Sequence, residues 1–158
     1  MPEPLADGVI RGIIQAAALY NRLVLLVAPV GAGKTAALQD VHERTAAPLV
    51  NVNRELSRRM LELNGRQRAL KLPQLLEEIV GGSAADVVLL DNVEVLFDVS
   101  LKQDPLRLLQ NLSRNKTVVV AWGGSSDGEH VVYAAPDHPE YKRYPLQDFL
   151  VVKPEAVG

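Results

Sequence analysis

The sequence predicts an α/β fold built on a parallel sheet, and three observations predict it. Several short runs are apolar without alternation, as in strands that are covered on both faces. Segments with apolar residues at helical spacing separate these runs, which implies parallel strands joined by right-handed crossovers. The 158 residues are 47% hydrophobic and 23% charged, enough for one domain with its own core. We therefore expect a single domain over residues 1–158, with its core at about 5–153.

The first half of the chain alternates helix and strand. Apolar side chains recur at helical spacing behind Asp7, which is a candidate N-cap. A continuous apolar run follows, and a glycine-bearing turn then leads into a second helical segment. The elements predicted here are a helix at 8–20, a strand at 23–28, a helix at 34–45, a strand at 49–53 and a helix at 54–63.

The second half continues the same pattern. Pro73 is expected in the N-terminal turn of a helix that Gly81 and Gly82 end. Asp104 and Pro105 are typical of the first positions of another helix. Glycines at 123 and 124 are expected to stop the strand before them. The predicted elements are helices at 72–80 and 104–114 and strands at 87–90, 117–122, 130–134 and 149–153, and the Pro-rich segment 136–145 cannot form a long helix.

Composition excludes several kinds of site. The chain has no cysteine, so disulfides, thiolate metal sites and thiol nucleophiles are excluded, and its three histidines lack metal-ligand spacing. A net charge of −2 argues against general affinity for nucleic acid. The longest apolar run, 23–30, is far shorter than the ~20 residues of a membrane span. The first eight residues lack a signal-peptide pattern, and we expect a cytoplasmic protein.

Residues 28–35, APVGAGKT, carry the most information about function. They match the Walker A pattern with alanine in place of its first glycine, between an apolar strand and a helix. The glycines allow the backbone N–H groups to surround a polyphosphate, the lysine faces the β- and γ-phosphates, and the threonine hydroxyl ligates Mg²⁺. An ordinary strand–turn–helix junction is the alternative, but it requires no Lys-Thr pair. The predicted nucleotide-binding residues are Pro29, Val30, Gly31, Ala32, Gly33, Lys34, Thr35 and Ala36.

Asp91 ends the apolar run VVLL, which is the Walker B arrangement. A carboxylate there lies at the edge of the sheet where ligands of open α/β sheets bind, so Thr35 and Asp91 are the predicted Mg²⁺ ligands. Asn92 occupies the place where hydrolysing ATPases of the additional-strand class usually have a glutamate, and an amide cannot accept a proton from water. Glu94 is either a substitute base or a solvated carboxylate. Slow hydrolysis, or binding with little turnover, is the expectation.

Three further groups of residues are candidates for function. Ser125, or Ser126, follows the strand 117–122 and is either a polar sensor of the γ-phosphate or a turn serine. Arg143, or less favourably Lys142, is either a finger that reaches a neighbouring subunit's site or a surface charge. The segment 54–71 has a net charge of +4 and is either a solvated face or a contact for DNA or an acidic partner. Its candidate contact residues are Arg58, Arg59, Arg66, Arg68 and Lys71.

The motifs APVGAGKT, VVLLDN and TVVVAWGGSS, and the basic pair before FLVV, occur in the order of an AAA+ ATPase core. The chain resembles that superfamily over about residues 5–153. The resemblance implies a three-layer P-loop NTPase fold of the additional-strand class, ATP and Mg²⁺ as cofactors, and assembly into homo-oligomers such as rings. The sequence stops after the last strand, so we expect no C-terminal helical lid.

LLDNVEVLF and the tail YAAPDHPEYKRYPLQDFLVV also resemble the small P-loop protein of bacteriophage-exclusion (BREX) systems. That resemblance implies an antiviral role beside other phage-defence proteins. The leading hypothesis is an ATP-binding module whose nucleotide controls assembly, partner binding or DNA binding. A small P-loop kinase acting on a metabolite, and a DNA-binding subunit that uses 54–71, are the alternatives. Adenine is favoured over guanine because no Asn-Lys-x-Asp element follows a strand.

Overall fold

The computed structural model describes residues 4–29, 31–134 and 137–154. Val30, one of the predicted nucleotide-binding residues, and part of the tail that carries the phage-exclusion resemblance lie outside the described residues. The helices are α1 (Leu5–Ala16), α2 (Lys34–Thr45), α3 (Val52–Met60), α4 (Gly65–Gly81) and α5 (Pro105–Leu112). The strands are β1 (Leu23–Ala28), β2 (Leu49–Asn51), β3 (Val87–Asp91), β4 (Thr117–Ser126), β5 (His130–Tyr133), β6 (Lys142–Pro145) and β7 (Leu150–Val152). Short 3₁₀ helices cover Val93–Phe97 and Val99–Leu101.

The strands form one sheet whose central part is parallel. Its order is β2-β3-β4-β1-β7, so β4 lies between β1 and β3. β5 and β6 form an antiparallel hairpin that extends the sheet at the carboxyl end of β4. The register places Ala28 beside Gly123 and Asn51 beside Asp91, so the carboxyl ends of the parallel strands share one edge. The predicted α/β fold with a parallel core is confirmed.

Helices contact both faces of this sheet. Alternate residues of β1 point to opposite sides, as the period of a strand requires. Leu23, Leu25 and Val27 belong to a buried cluster with α3, α4 and α5, whereas Val24 and Leu26 belong to a second cluster with α1 and α2. Burial of a leucine contributes about 1.5–3 kcal/mol. The unbroken apolar runs in the sequence therefore reflect strands buried on both sides.

Helix α4 differs from its prediction because it begins at Gly65 rather than near 72. The Asn64 side chain accepts a hydrogen bond from the Gln67 amide, and the Gln67 side chain accepts one from the Asn64 amide. This capping box starts the helix early. Pro73 consequently lies inside the helix and not in its first turn. Since proline has no N–H, it cannot bond to the Ala69 carbonyl, and the Gln103 side-chain amide donates to that oxygen instead, at 2.7 Å.

The other boundary errors have local causes. Helix α1 begins at Leu5 after Pro4, so Asp7 lies in its first turn rather than at the cap and pairs with Arg44 at 2.6 Å. Helix α3 begins at Val52 because the Asn51 side chain accepts from the Arg54 amide, which shortens the preceding strand. Asp104 caps α5 and Pro105 is its first residue, as predicted.

β4 does not stop at the two glycines but runs on to Ser126. The reason is a turn at Asp127, whose carboxylate accepts from the amides of Glu129 and His130 at 2.9 and 2.8 Å. This turn folds β5 back along the end of β4. The Pro-rich segment holds β6, a strand that the sequence analysis missed. In the described part of the chain, no helix has the length and apolar character that crossing a bilayer requires.

Candidate functional site

The loop after β1 has backbone angles that only glycine adopts without strain. Gly31 and Gly33 have φ angles of 84° and 89°. A β-carbon at either position would meet no atom within 4 Å, so the φ angle rather than space requires glycine. The chain turns here from the end of β1 into the start of α2. This is the local geometry that the predicted phosphate cradle needs.

The start of α2 has no capping group of its own. Gly33 is its N-cap residue, no side chain among the described residues caps it, and its first turn contains no acidic residue. By contrast, side chains of Asn51, Asn64 and Asp104 cap α3, α4 and α5. The first N–H groups of a helix have no partner inside the helix, and they carry the positive end of its dipole. The N-terminus of α2 is thus suited to an anion.

Lys34 lies at this helix start, and its ammonium group is bound to the loop. Its Nζ atom donates to the carbonyl oxygens of Ala28 and Pro29 at 2.8 and 2.9 Å. Partial burial lowers the pKa of Lys34, while the carboxylates of Glu94 and Asp91 act in the opposite direction. Lys34 therefore contacts the loop directly and is within electrostatic range of two acidic side chains.

Thr35 and Asp91 are in direct contact. The Thr35 hydroxyl donates to one carboxylate oxygen of Asp91 at 2.7 Å, and the Asn92 amide donates to the other at 2.9 Å. Asp91 is buried, and its place at the end of β3 follows from the pairing of that strand with β2 and β4. A hydroxyl and a carboxylate are hard oxygen ligands, the kind that Mg²⁺ prefers. The donor set of Thr35 and Asp91 fits this ion.

Asn92 has a left-handed backbone conformation, with φ 55° and ψ 52°. Its carbonyl accepts a hydrogen bond from the Asn53 amide at 3.0 Å, which connects the end of β3 to α3. Asparagine tolerates this conformation better than other residues with a β-carbon. The backbone conformation therefore explains why asparagine, and not the glutamate usual in hydrolysing ATPases, occupies position 92.

Glu94 follows in the first turn of the 3₁₀ helix Val93–Phe97 and is exposed. Its carboxylate is close enough to Lys34 to act on the pKa of that residue more strongly than Asp91 does. Whether Glu94 accepts a proton stays a prediction.

Ser125 and Ser126 belong to β4 and pair with Val132 and Val131 of β5, so their interpretation as turn residues is wrong. They lie beyond Gly123, which is beside the last residue of β1. Trp122 is fully buried, and its indole N–H donates to the Val132 carbonyl at 3.1 Å. A role for Ser125 as a sensor stays a prediction.

The remaining basic candidates lie on α3, α4 and β6. Arg143 is exposed on β6, where its guanidinium lies 3.2 Å from Nδ1 of His130. Arg58 and Arg59 share Glu55 as an ion-pair partner at 4.0 and 2.7 Å. The Arg68 side chain donates to the Leu63 carbonyl at 2.9 Å, and Arg66 and Lys71 are exposed. Intramolecular contacts therefore occupy three of the five proposed DNA or partner contacts.

Sequence reasoning missed Tyr133 as a residue near the site. Burial, with Glu94 and then Glu140, raises the pKa of Tyr133 to about 12. The charge of Glu94 thus acts on both the Tyr133 phenol and Lys34. Only the antiparallel pairing of β5 with the end of β4 brings Tyr133 there. A strand at 130–134 was predicted, but its partner was not, so the sequence contained no indication of this proximity.

No protein-family model matches this chain, and no curated protein matches it. A solved structure titled "Structure of C. elegans PCH-2" is similar, with a TM-score of 0.41 and 19% sequence identity. The similarity covers 79% of this chain, which spans only 36% of the PCH-2 chain. A similarity this distant assigns neither a family nor a function. The AAA+ and phage-exclusion resemblances of the sequence therefore stay predictions.

Proposed function

We propose that this protein binds ATP with Mg²⁺ at the loop between β1 and α2, in a single AAA+-like P-loop domain with slow hydrolysis. The contact between Thr35 and Asp91 carries the proposal. These residues are 56 positions apart, yet the hydroxyl and the carboxylate meet at 2.7 Å beside an uncapped helix start. An ordinary strand–turn–helix junction does not require a hydroxyl, a carboxylate and a lysine to lie together.

In this proposal each group around the loop contacts a different part of the bound MgATP. The free N–H groups at the start of α2 face the phosphates, and Lys34 exchanges its two carbonyl partners for phosphate oxygens. Thr35 and Asp91 hold Mg²⁺, which neutralises part of the triphosphate charge. Pro29 and Ala32 complete the loop, and Ala36 belongs to the first turn of α2. The choice of ATP over GTP rests on the lack of an Asn-Lys-x-Asp element after a strand.

The position of β4 supports the additional-strand class of P-loop protein. β4 separates β1, which precedes the loop, from β3, which ends in Asp91. Helices on both faces of the sheet agree with the three layers that the resemblance implies. In such a protein the polar groups at the end of β4 lie next to the γ-phosphate.

Assembly is the second part of the proposal. Nucleotide binding would control association of the protein with itself or with phage-defence partners, and Arg143 would reach a neighbouring copy's site from β6. The defence role rests on the sequence resemblance alone. Size-exclusion chromatography with light scattering, with and without ATP and Mg²⁺, tests assembly. A larger mass with nucleotide is expected, and an unchanged monomer in both conditions contradicts it.

Replacement of Lys34 by alanine tests the proposed binding site. We expect affinity for a fluorescent ATP analogue to fall by about tenfold or more, because charge-assisted contacts to the phosphates are lost. Lys71→Ala is the matched control, since that lysine is exposed on α4. Unchanged affinity in Lys34→Ala, or an equal loss in Lys71→Ala, would reject the site.

A further inference from the structure

The hairpin of β5 and β6 brings a side chain from a distant part of the chain to the proposed nucleotide site. Tyr133 pairs with Gly124, one position beyond Gly123, which is beside Ala28 at the start of the loop. A β-carbon at position 124 would collide with the Val132 carbonyl, so only glycine lets β5 approach β4 this closely. The end of β4 is thus built to accept the strand that carries Tyr133.

An aromatic stack fixes Tyr133 against the 3₁₀ helix Val93–Phe97. The rings of Phe97 and Tyr133 are stacked, with centroids 3.6 Å apart and planes 9° from parallel. Trp122 packs edge-on against both rings, at 5.1 and 6.1 Å. Both Phe97 and Trp122 are buried, so this contact holds the 3₁₀ helix, β4 and β5 in one arrangement.

The same 3₁₀ helix places Glu94 on the side that Tyr133 occupies. Side chains three residues apart are eclipsed in a 3₁₀ helix, so Glu94 lies above Phe97, about 6 Å along the axis. That displacement is towards Asn92 and the site edge of the sheet. This position agrees with the effect of the Glu94 carboxylate on the pKa of both Lys34 and Tyr133.

The Tyr133 hydroxyl is available for a new contact. Over the described ranges it has no hydrogen-bond partner, and Asn21 Oδ1 is the only fully buried side-chain oxygen or nitrogen without one. The Tyr133 hydroxyl therefore reaches solvent although the residue is only 8% exposed. The carboxylates of Glu94 and Glu140 both raise the pKa of this phenol through their charge.

We propose that Tyr133 is a positioning residue for ATP hydrolysis, whose hydroxyl donates a hydrogen bond to the carboxylate of Glu94 when nucleotide is bound. This inference rests on the function proposed above. In the step, the oxygen of water bonds to the γ-phosphorus and the bond from that phosphorus to the β–γ bridging oxygen breaks. The water proton passes to the Glu94 carboxylate and from there to solvent, and ADP and phosphate leave. Tyr133 keeps Glu94 directed at the water. Asn92 cannot take the place of Glu94, because an amide does not accept the proton of water.

The test compares Tyr133→Phe with Tyr144→Phe in the full chain. Tyr133→Phe keeps the ring stack and removes only the hydroxyl. Tyr144 belongs to the same aromatic group, 6.1 Å from Trp122, but its hydroxyl donates to Asp104. Phosphate release from MgATP gives kcat and KM, a fluorescent ATP analogue gives binding, and near-ultraviolet circular dichroism reports the stack. Glu140→Gln tests the second carboxylate. A comparison of Glu94→Gln with the double variant Glu94→Gln/Tyr133→Phe tests whether Tyr133 acts through Glu94.

We expect Tyr133→Phe to lower kcat by about tenfold with KM unchanged, as for the loss of one hydrogen bond to a charged group. Tyr144→Phe and Glu140→Gln should keep wild-type values, and the double variant should be no slower than Glu94→Gln alone. Wild-type kcat in Tyr133→Phe, an equal loss in Glu140→Gln, or nucleotide binding without any turnover in the wild type would each overturn the proposal. If the wild type fails to bind the ATP analogue, the proposed function itself is wrong.

Discussion

The Thr35 hydroxyl donates to Oδ2 of Asp91 at 2.7 Å, which joins the start of α2 to the end of β3. In the proposed complex both oxygens would hold Mg²⁺ instead of bonding to each other. The two side chains are held by different elements, and neither depends on the ion for its position.

Thr35→Ala should therefore weaken ATP binding only when Mg²⁺ is present. We expect the Mg²⁺-dependent part of the affinity to fall by about tenfold, while affinity in EDTA stays at the wild-type value. Thr45→Ala is a matched control at the other end of the same helix, where the hydroxyl donates to the Val41 carbonyl. Equal affinities of Thr35→Ala and wild type with Mg²⁺, measured by calorimetry, would remove Thr35 from the metal site.

Gly33→Ala should destabilise the chain through its backbone. A residue with a β-carbon costs about 1–2 kcal/mol at a left-handed φ, and the angle here is 89°. The control is Gly65→Ala, at the first position of α4, where a β-carbon also meets no atom within 4 Å. That change should be neutral or stabilising by up to about 1 kcal/mol. Urea unfolding of both variants checks the pair, and an equal response would show that the loop does not need its glycine.

Replacements of Asn92 separate its chemistry from its backbone. Asn92→Glu would supply the carboxylate that the usual ATPase pattern has, but at a φ of 55° it should cost about 1 kcal/mol of stability. Asn92→Gly should keep wild-type stability within a few tenths of a kcal/mol, because glycine accepts the angle. Thermal unfolding measures both changes. A gain in turnover in Asn92→Glu would favour a missing base, whereas unchanged turnover favours Glu94.

The sequence predicted the parts of the fold that local patterns control. The unbroken apolar runs at 23–28, 87–90 and 117–122 predicted doubly covered strands, APVGAGKT predicted the loop, and the helix predicted at 34–45 coincides with α2. Contacts between distant segments were not predictable in the same way. The hairpin on β4 and the stack of Phe97 on Tyr133 depend on which strands pair, and no local pattern contains that information. Pro73 misled the prediction of α4 because the donor that replaces its missing N–H at the Ala69 carbonyl, Gln103, is 30 positions further along the chain than Pro73.

Gln103 should stabilise α4 by replacing the hydrogen bond that Pro73 cannot make. Its side-chain amide donates to the carbonyls of Ala69 and Leu101 at 2.7 and 2.9 Å. Gln103→Ala leaves the partly buried Ala69 oxygen without a partner, which should cost about 1–2 kcal/mol. In a Pro73→Ala background, the new N–H of residue 73 can bond to that oxygen, so the same replacement should cost about 0.5–1 kcal/mol less.

Urea unfolding of the four proteins in this double-mutant cycle measures the coupling. Gln74→Ala, on the exposed side of α4, is the control and should show no coupling with Pro73→Ala through Ala69. Equal costs of Gln103→Ala in both backgrounds would mean that Gln103 acts through Leu101 alone.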